Sequence, residues 1–111
     1  MEKKYEVKIT RHALAQMQEI VRYISNDLLA SEAADSLMND IKEVILGLTD
    51  LPKRYALIEE EPWRSEGVRK ITVKNFLIYY WVDEENKRTQ VTAIIYNKRD
   101  QLQQLAGMKM K

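Results

Sequence analysis

The hydrophobic period of this chain changes once, at Pro52. Apart from a short opening in which Tyr5, Val7 and Ile9 alternate with Glu6 and Lys8, the residues before it follow a helical period. Leu14, Met17, Ile20, Val21, Ile24 and Leu28 recur at steps of three and four and make one apolar stripe. Ala34, Leu37, Met38, Ile41, Val44, Ile45 and Leu48 make a second. Thr10 and Ser31 stand where helix caps belong. Pro52 has no N–H to carry the second helix further. Two helices joined by so short a connection run antiparallel, as a hairpin.

After Pro52 the pattern is that of strands. Residues 55–58 suggest a short one, interrupted by the exposed run Glu59-Glu60-Glu61-Pro62. Val68 to Val73 and Phe76 to Val82 are β-prone, with Lys74-Asn75 as a tight turn between them. Asp83 to Lys87 is a polar turn, and Gln90 to Tyr96 is the last run. The fold class expected is α+β: an N-terminal strand, then an antiparallel two-helix hairpin packed on a mostly antiparallel sheet of three to four strands. One domain spans 1–111, with 101–111 a short helix or a flexible tail.

Within the central run, Phe76, Ile78, Tyr80 and Val82 share one face and should lie under the helices. Leu77, Tyr79 and Trp81 share the other, an apolar-aromatic patch that either a C-terminal segment or dimer partner covers or a docking partner uses, with docking preferred. Trp63 beside Arg64 reads as a plug for its loop.

Composition excludes several chemistries. Without cysteine there is no disulfide framework, thiol nucleophile or thiolate zinc site. The sole histidine, His12, falls near a helix start, where the dipole disfavours imidazolium. No serine, cysteine or second histidine completes a triad with it, so no metal site and no cofactor is expected. The acidic run lacks the spacing and glycine of a calcium loop. The longest apolar stretch is too short to span a bilayer, and the N-terminus lacks a signal-peptide core. A cytoplasmic protein is expected. Charge is unevenly placed: residues 1–50 hold 6 basic against 9 acidic side chains, and residues 51–111 hold 12 against 8. A locally basic sheet half can attract an anionic partner although the whole chain is near neutral.

In order and spacing these residues resemble the RelE/ParE superfamily of toxins from bacterial type II toxin–antitoxin systems. The likeness runs roughly from Tyr5 to Asp100. It rests on the strand Tyr5-Glu-Val-Lys-Ile9, Ala13 near the first helix start and Ile20-Val-Arg-Tyr-Ile24. It continues through the exit Leu48-Thr-Asp-Leu-Pro52, the basic strand Val68-Arg-Lys-Ile71 and the aromatic Phe76-Leu-Ile-Tyr-Tyr-Trp-Val82. The ending Ile94-Ile-Tyr-Asn-Lys-Arg-Asp100 is similar to the family's histidine–small–Arg–Arg–Asp close. The two-helix lead-in is the more ParE-like feature.

The resemblance implies a chain that halts growth when free and is neutralised by a cognate antitoxin laid over its exposed surfaces. Operator DNA would be met only through the antitoxin, and assembly as a homodimer or as a heterotetramer with antitoxin is compatible with it. For antitoxin binding it points to Arg64, Arg69 and Lys74 with the aromatic patch Leu77, Tyr79 and Trp81, since tyrosine and tryptophan are common interface anchors. ParE-like poisoning of DNA gyrase takes narrow precedence as the activity. One alternative is a RelE-like, metal-independent endoribonuclease acting on ribosome-bound messenger RNA. Another is a non-catalytic module that acts with its antitoxin as co-repressor.

The ribonuclease reading requires cations to stabilise a phosphorane and a proton-transfer group. By resemblance those would be Lys70, Arg99 and Lys98, with Tyr96. The sequence departs from that set: Leu77 stands where an arginine is common, Tyr96 where many relatives have histidine, and Leu105 near where some place a tyrosine. A tyrosine, with a reference pKa of about 10, is a poor base at neutral pH.

Overall fold

The computed structural model describes residues 4–27 and 29–96, together with Met108 and Met110. Leu28, expected at the end of the first apolar stripe, lies outside them, as do Lys98, Arg99 and the proposed tail at Leu105.

Strand β1 (Glu6–Ile9) runs directly into helix α1 (Arg11–Arg22). Thr10 is the joint. Its hydroxyl accepts the Ala13 N–H at 3.1 Å, satisfying one donor that a helix start leaves unpaired. Its own N–H donates to the Val91 carbonyl at 2.9 Å, so the same residue ends the strand pairing and begins the helix. A wider π-helical turn, Tyr23–Asp27, follows α1. Leu29, at φ 51°, then reverses the chain into α2 (Ser31–Leu46).

The cap expected at Ser31 is corrected. The capping position falls on Ala30, which has no side-chain acceptor, and Ser31 is the first helical residue. Its hydroxyl is instead 3.4 Å from that of Ser25, across the bend. Two 3-10 turns, Gly47–Thr49 and Pro52–Arg54, carry the chain off α2. Pro52 sits at the first position of the second turn, where its missing N–H costs nothing.

The sheet consists of β1, β2 (Arg69–Val73), β3 (Phe76–Asp83) and β4 (Arg88–Tyr96). Its order is β1-β4-β3-β2. The two hairpins β2–β3 and β3–β4 are antiparallel, while β1 lies parallel to β4, so the sheet is mixed. Lys74, at φ 52°, makes the tight turn before β3, and Val73 pairs with Phe76 across it. Residues 55–58 do not form the strand expected of them. They make a single bridge, Leu57 to Arg69, before the chain leaves at the acidic run and folds back as a loop.

The helical hairpin covers one face of the sheet. Ala13 and Met17 from α1 and Leu37, Ile41 and Ile45 from α2 pack with Ile71, Val73, Phe76, Ile78, Tyr80, Val91 and Ile94. The second stripe from Leu37 to Leu48 and the inward set of β3 join the core as the sequence implies; of the first stripe Met17, Ile20 and Ile24 do, while Leu14 is 39% exposed and Ala13 takes the buried position beside it. Among the described residues no helix is long and apolar enough to cross a membrane.

Candidate functional site

The second face of the sheet is the surface that the sequence reserves for a partner, and the structure covers it. Leu77 and Tyr79 of β3, Ala93 and Ile95 of β4, Ile58 and Val68 form a second buried cluster with Met108. Leu77 is 3% exposed and Tyr79 1%, so the open aromatic patch expected here is closed by the chain itself. Trp63, Trp81 and Met110 pack around its rim.

Polar contacts fasten this cover. The Met110 carbonyl accepts the Trp81 indole N–H at 2.9 Å and the Gln90 side-chain amide at 3.2 Å. Trp81 and Gln90 are register partners on adjacent strands, so one carbonyl bridges β3 and β4. A register shift beside Tyr79 and Tyr80 leaves Thr92 as the extra residue of β4. Its hydroxyl lies 3.2 Å from the Met108 sulfur and 3.4 Å from the Tyr79 carbonyl.

The other cover is the loop after the Leu57 bridge. Ile58 N–H donates to the Val68 carbonyl at 3.0 Å. The Arg64 guanidinium reaches back to the Ile58 carbonyl at 3.1 Å. Trp63 plugs the loop against the second cluster, as the sequence suggests.

The cations read from the sequence as one basic face are separated. Lys70 pairs with Tyr79 in the register, which puts it on the second face, and it is exposed. Arg69, one residue earlier, belongs to the helix side, where its guanidinium donates to the Tyr55 carbonyl. Lys74 leaves the sheet altogether and pairs with Asp40 of α2 at 2.7 Å. Strand alternation is the reason for the first separation, and the tight turn for the second. Tyr96 closes β4 opposite Phe76. His12 sits in the first turn of α1, half-buried, and the described residues hold no group of acidic or histidine side chains suited to a metal ion.

Two tyrosines are shifted far from neutrality. Burial pushes Tyr79 up to about 12, and the nearby Glu60 carboxylate adds to the effect. Burial likewise pushes Tyr80 up to about 12, partly offset by Arg69. The Tyr80 hydroxyl donates to the Pro52 carbonyl, so it serves as a strut between β3 and the exit from α2.

A polar cluster that sequence reasoning missed centres on Glu84, in the turn between β3 and β4. Its carboxylate accepts the Tyr5 hydroxyl at 3.0 Å and pairs with Lys53 at 2.8 Å and Lys87 at 3.2 Å. These hydrogen bonds hold it well below the carboxylate range, at about 2. The partners are distant in sequence, so no local motif announces them. The methionine cover did leave a signal: Met108-Lys-Met110 alternates apolar and polar with a strand's period.

Comparison with known proteins now has a geometry to meet. Residues 7–101 match the model of a family described as the ParE toxin of the type II toxin–antitoxin system parDE. Among solved structures, the chain is similar to one from the chromosomal ParDE system of P. aeruginosa, with 26% identity and a TM-score of 0.68, covering 86% of this chain and 98% of that one. It is also similar to a chain of the RelBE2 toxin–antitoxin complex of Mycobacterium tuberculosis, with 15% identity and a TM-score of 0.59, covering 84% and 98%. A mutant of the E. coli toxin RelE in the free state shares the fold at 12% identity and a TM-score of 0.63, covering 91% and 92%. Among curated protein sequences nothing matches.

Proposed function

The chain belongs to the ParE toxin family of type II toxin–antitoxin systems, and from that premise we propose that it stops growth by binding and poisoning DNA gyrase, under the control of a cognate antitoxin. One observation carries the choice of a binding activity over RNA cleavage. Leu77, where RNA-cutting relatives commonly carry an arginine, is buried among apolar neighbours and offers no charge to a phosphorane. The centre of the sheet is built as a core, which suits a toxin that acts through its surface.

The antitoxin reading draws support from the similar structures, which include toxin–antitoxin systems. We assign its contacts to the rim of the second face, where exposed Lys70 and half-buried Trp81 lie. Arg64, Arg69 and Lys74 contribute less, since each already has a partner in Ile58, Tyr55 and Asp40. Leu77 and Tyr79 would act from beneath, by supporting Trp81.

The test is gyrase supercoiling with purified chain, measured beside the rate of new protein synthesis after induction in a bacterial host. Lost supercoiling with translation continuing through the first minutes is the expected pair of results. Supercoiling untouched at large molar excess, with translation collapsing promptly, would sink the proposal and make Lys70 and Arg99 the residues to mutate.

A further inference from the structure

Two arginines from different elements meet at Tyr55. The Arg54 guanidinium lies over the Tyr55 ring, 5.2 Å from its centroid. A Cβ placed on Gly47 would stand 3.5 Å from the Arg54 Nη2, so this guanidinium sits between the ring and the C-cap of α2. The Arg69 guanidinium arrives from β2 and donates to the Tyr55 carbonyl.

The supports of this pair are themselves fixed. The Tyr55 ring meets Tyr80 edge-on, with centroids 6.5 Å apart. The Tyr80 hydroxyl holds the Pro52 carbonyl, at the head of the turn that ends in Arg54. Arg69 is the register partner of Tyr80 on the next strand. Both guanidinium charges bear on the Tyr80 hydroxyl and hold back the rise that burial gives its pKa.

What the pair lacks is a counter-charge. Neither guanidinium forms an ion pair among the described residues. Arg69 is half-buried, and a partly desolvated cation without an anion is costly. Among the described residues the Arg54 side chain donates no hydrogen bond, and that of Arg69 only the one to Tyr55. The remaining N–H groups make forks that suit an oxyanion. Two fixed positive charges call for a dianion. A carboxylate offers one negative charge, whereas a phosphomonoester carries close to two at neutral pH.

We propose that Arg54 and Arg69, gathered at Tyr55, form a binding site for a phosphate dianion, free or as the head of a small phosphomonoester. Arg69 shares the helix side of β2 with buried Ile71 and Val73. The site is therefore distinct from the rim of the second face, and this inference holds or fails independently of the gyrase and antitoxin readings.

A titration of the purified chain followed by NMR tests it, with the arginine Nε–H signals recorded at constant ionic strength. The probes are inorganic phosphate, a nucleoside monophosphate and acetate. Phosphate should shift the Arg54 and Arg69 signals saturably, with a Kd in roughly the millimolar range, and acetate should leave them in place. Tighter binding of the nucleoside monophosphate would place the ligand among nucleotides, and equal or weaker binding would point to free phosphate. Arg54→Gln removes a guanidinium that no hydrogen bond ties to the fold, and should weaken phosphate binding by roughly tenfold or more. Arg54→Lys keeps the charge and loses the fork, so its affinity should fall between the two. Circular dichroism confirms the fold of each variant. Arginine signals that do not move saturably with phosphate, or acetate that binds as tightly, or Arg54→Gln that binds phosphate as well as the wild type, overturns the proposal.

Discussion

Thr10 shows how much one residue can decide. Its hydroxyl caps α1 and its amide closes the pairing of β1 with β4. Thr10→Ala keeps the amide bond and loses the cap, so chemical denaturation should register a loss of about 1 kcal/mol. A midpoint unchanged from the wild type would show that the hydroxyl contributes nothing. This role was legible in the sequence, because a threonine just before a helical stripe is a local signal. Ser31 offered the same signal, and there it misled. The bend before α2 puts the capping position on Ala30 and directs the serine hydroxyl to Ser25. A cap is read correctly only where the helix boundary is, and a boundary beside a π-helical turn is not set by composition.

Between elements, the governing contacts are ones that the sequence does not advertise. Glu84 joins the start of β1, the Pro52–Arg54 turn and the β3–β4 turn through Tyr5, Lys53 and Lys87. Its pKa falls from the ordinary value of 4.5 to about 2. A depressed carboxylate contributes stability that is fully present above its unfolded value and is lost as pH falls through the folded one. The window is therefore between 4.5 and about 2. Glu84→Gln lacks that contribution, so thermal midpoints measured across this range should fall less steeply in the variant than in the wild type. Parallel slopes would show that the cluster is not linked to folding. Period and turn chemistry gave the helices, the three later strands and their hairpins, because those depend on neighbours in the chain. The failed strand at residues 55–58 and the dispersal of Arg69, Lys70 and Lys74 depend on pairing and alternation across the sheet.

At the scale of the molecule, the sheet has helices on one side and its own later residues on the other. The expected architecture of two layers with an open face was right about the layers. It ranked a C-terminal cover second to a docking partner, because Met108 and Met110 carry no sequence mark beyond their alternation. Met108 is 9% exposed and its sulfur meets the Thr92 hydroxyl. Met108→Ala should lower stability by about 2 kcal/mol, at the modest end for truncating a buried methionine. It should also raise the fluorescence of a hydrophobic dye, as Leu77 and Tyr79 are uncovered. Unchanged stability and dye binding would mean that the second face is closed by the 59–67 loop alone.

The parallel pairing of β1 with β4 sets a clock on the molecule. Glu6 and its register partner Arg88 are 82 positions apart. On a ribosome adding roughly 5–20 residues per second, the first strand waits on the order of ten seconds before its neighbour exists. Until then β1 has no place in the sheet, and the inner strands have no finished edge. A nascent chain therefore lacks the completed sheet until its last strand has been made.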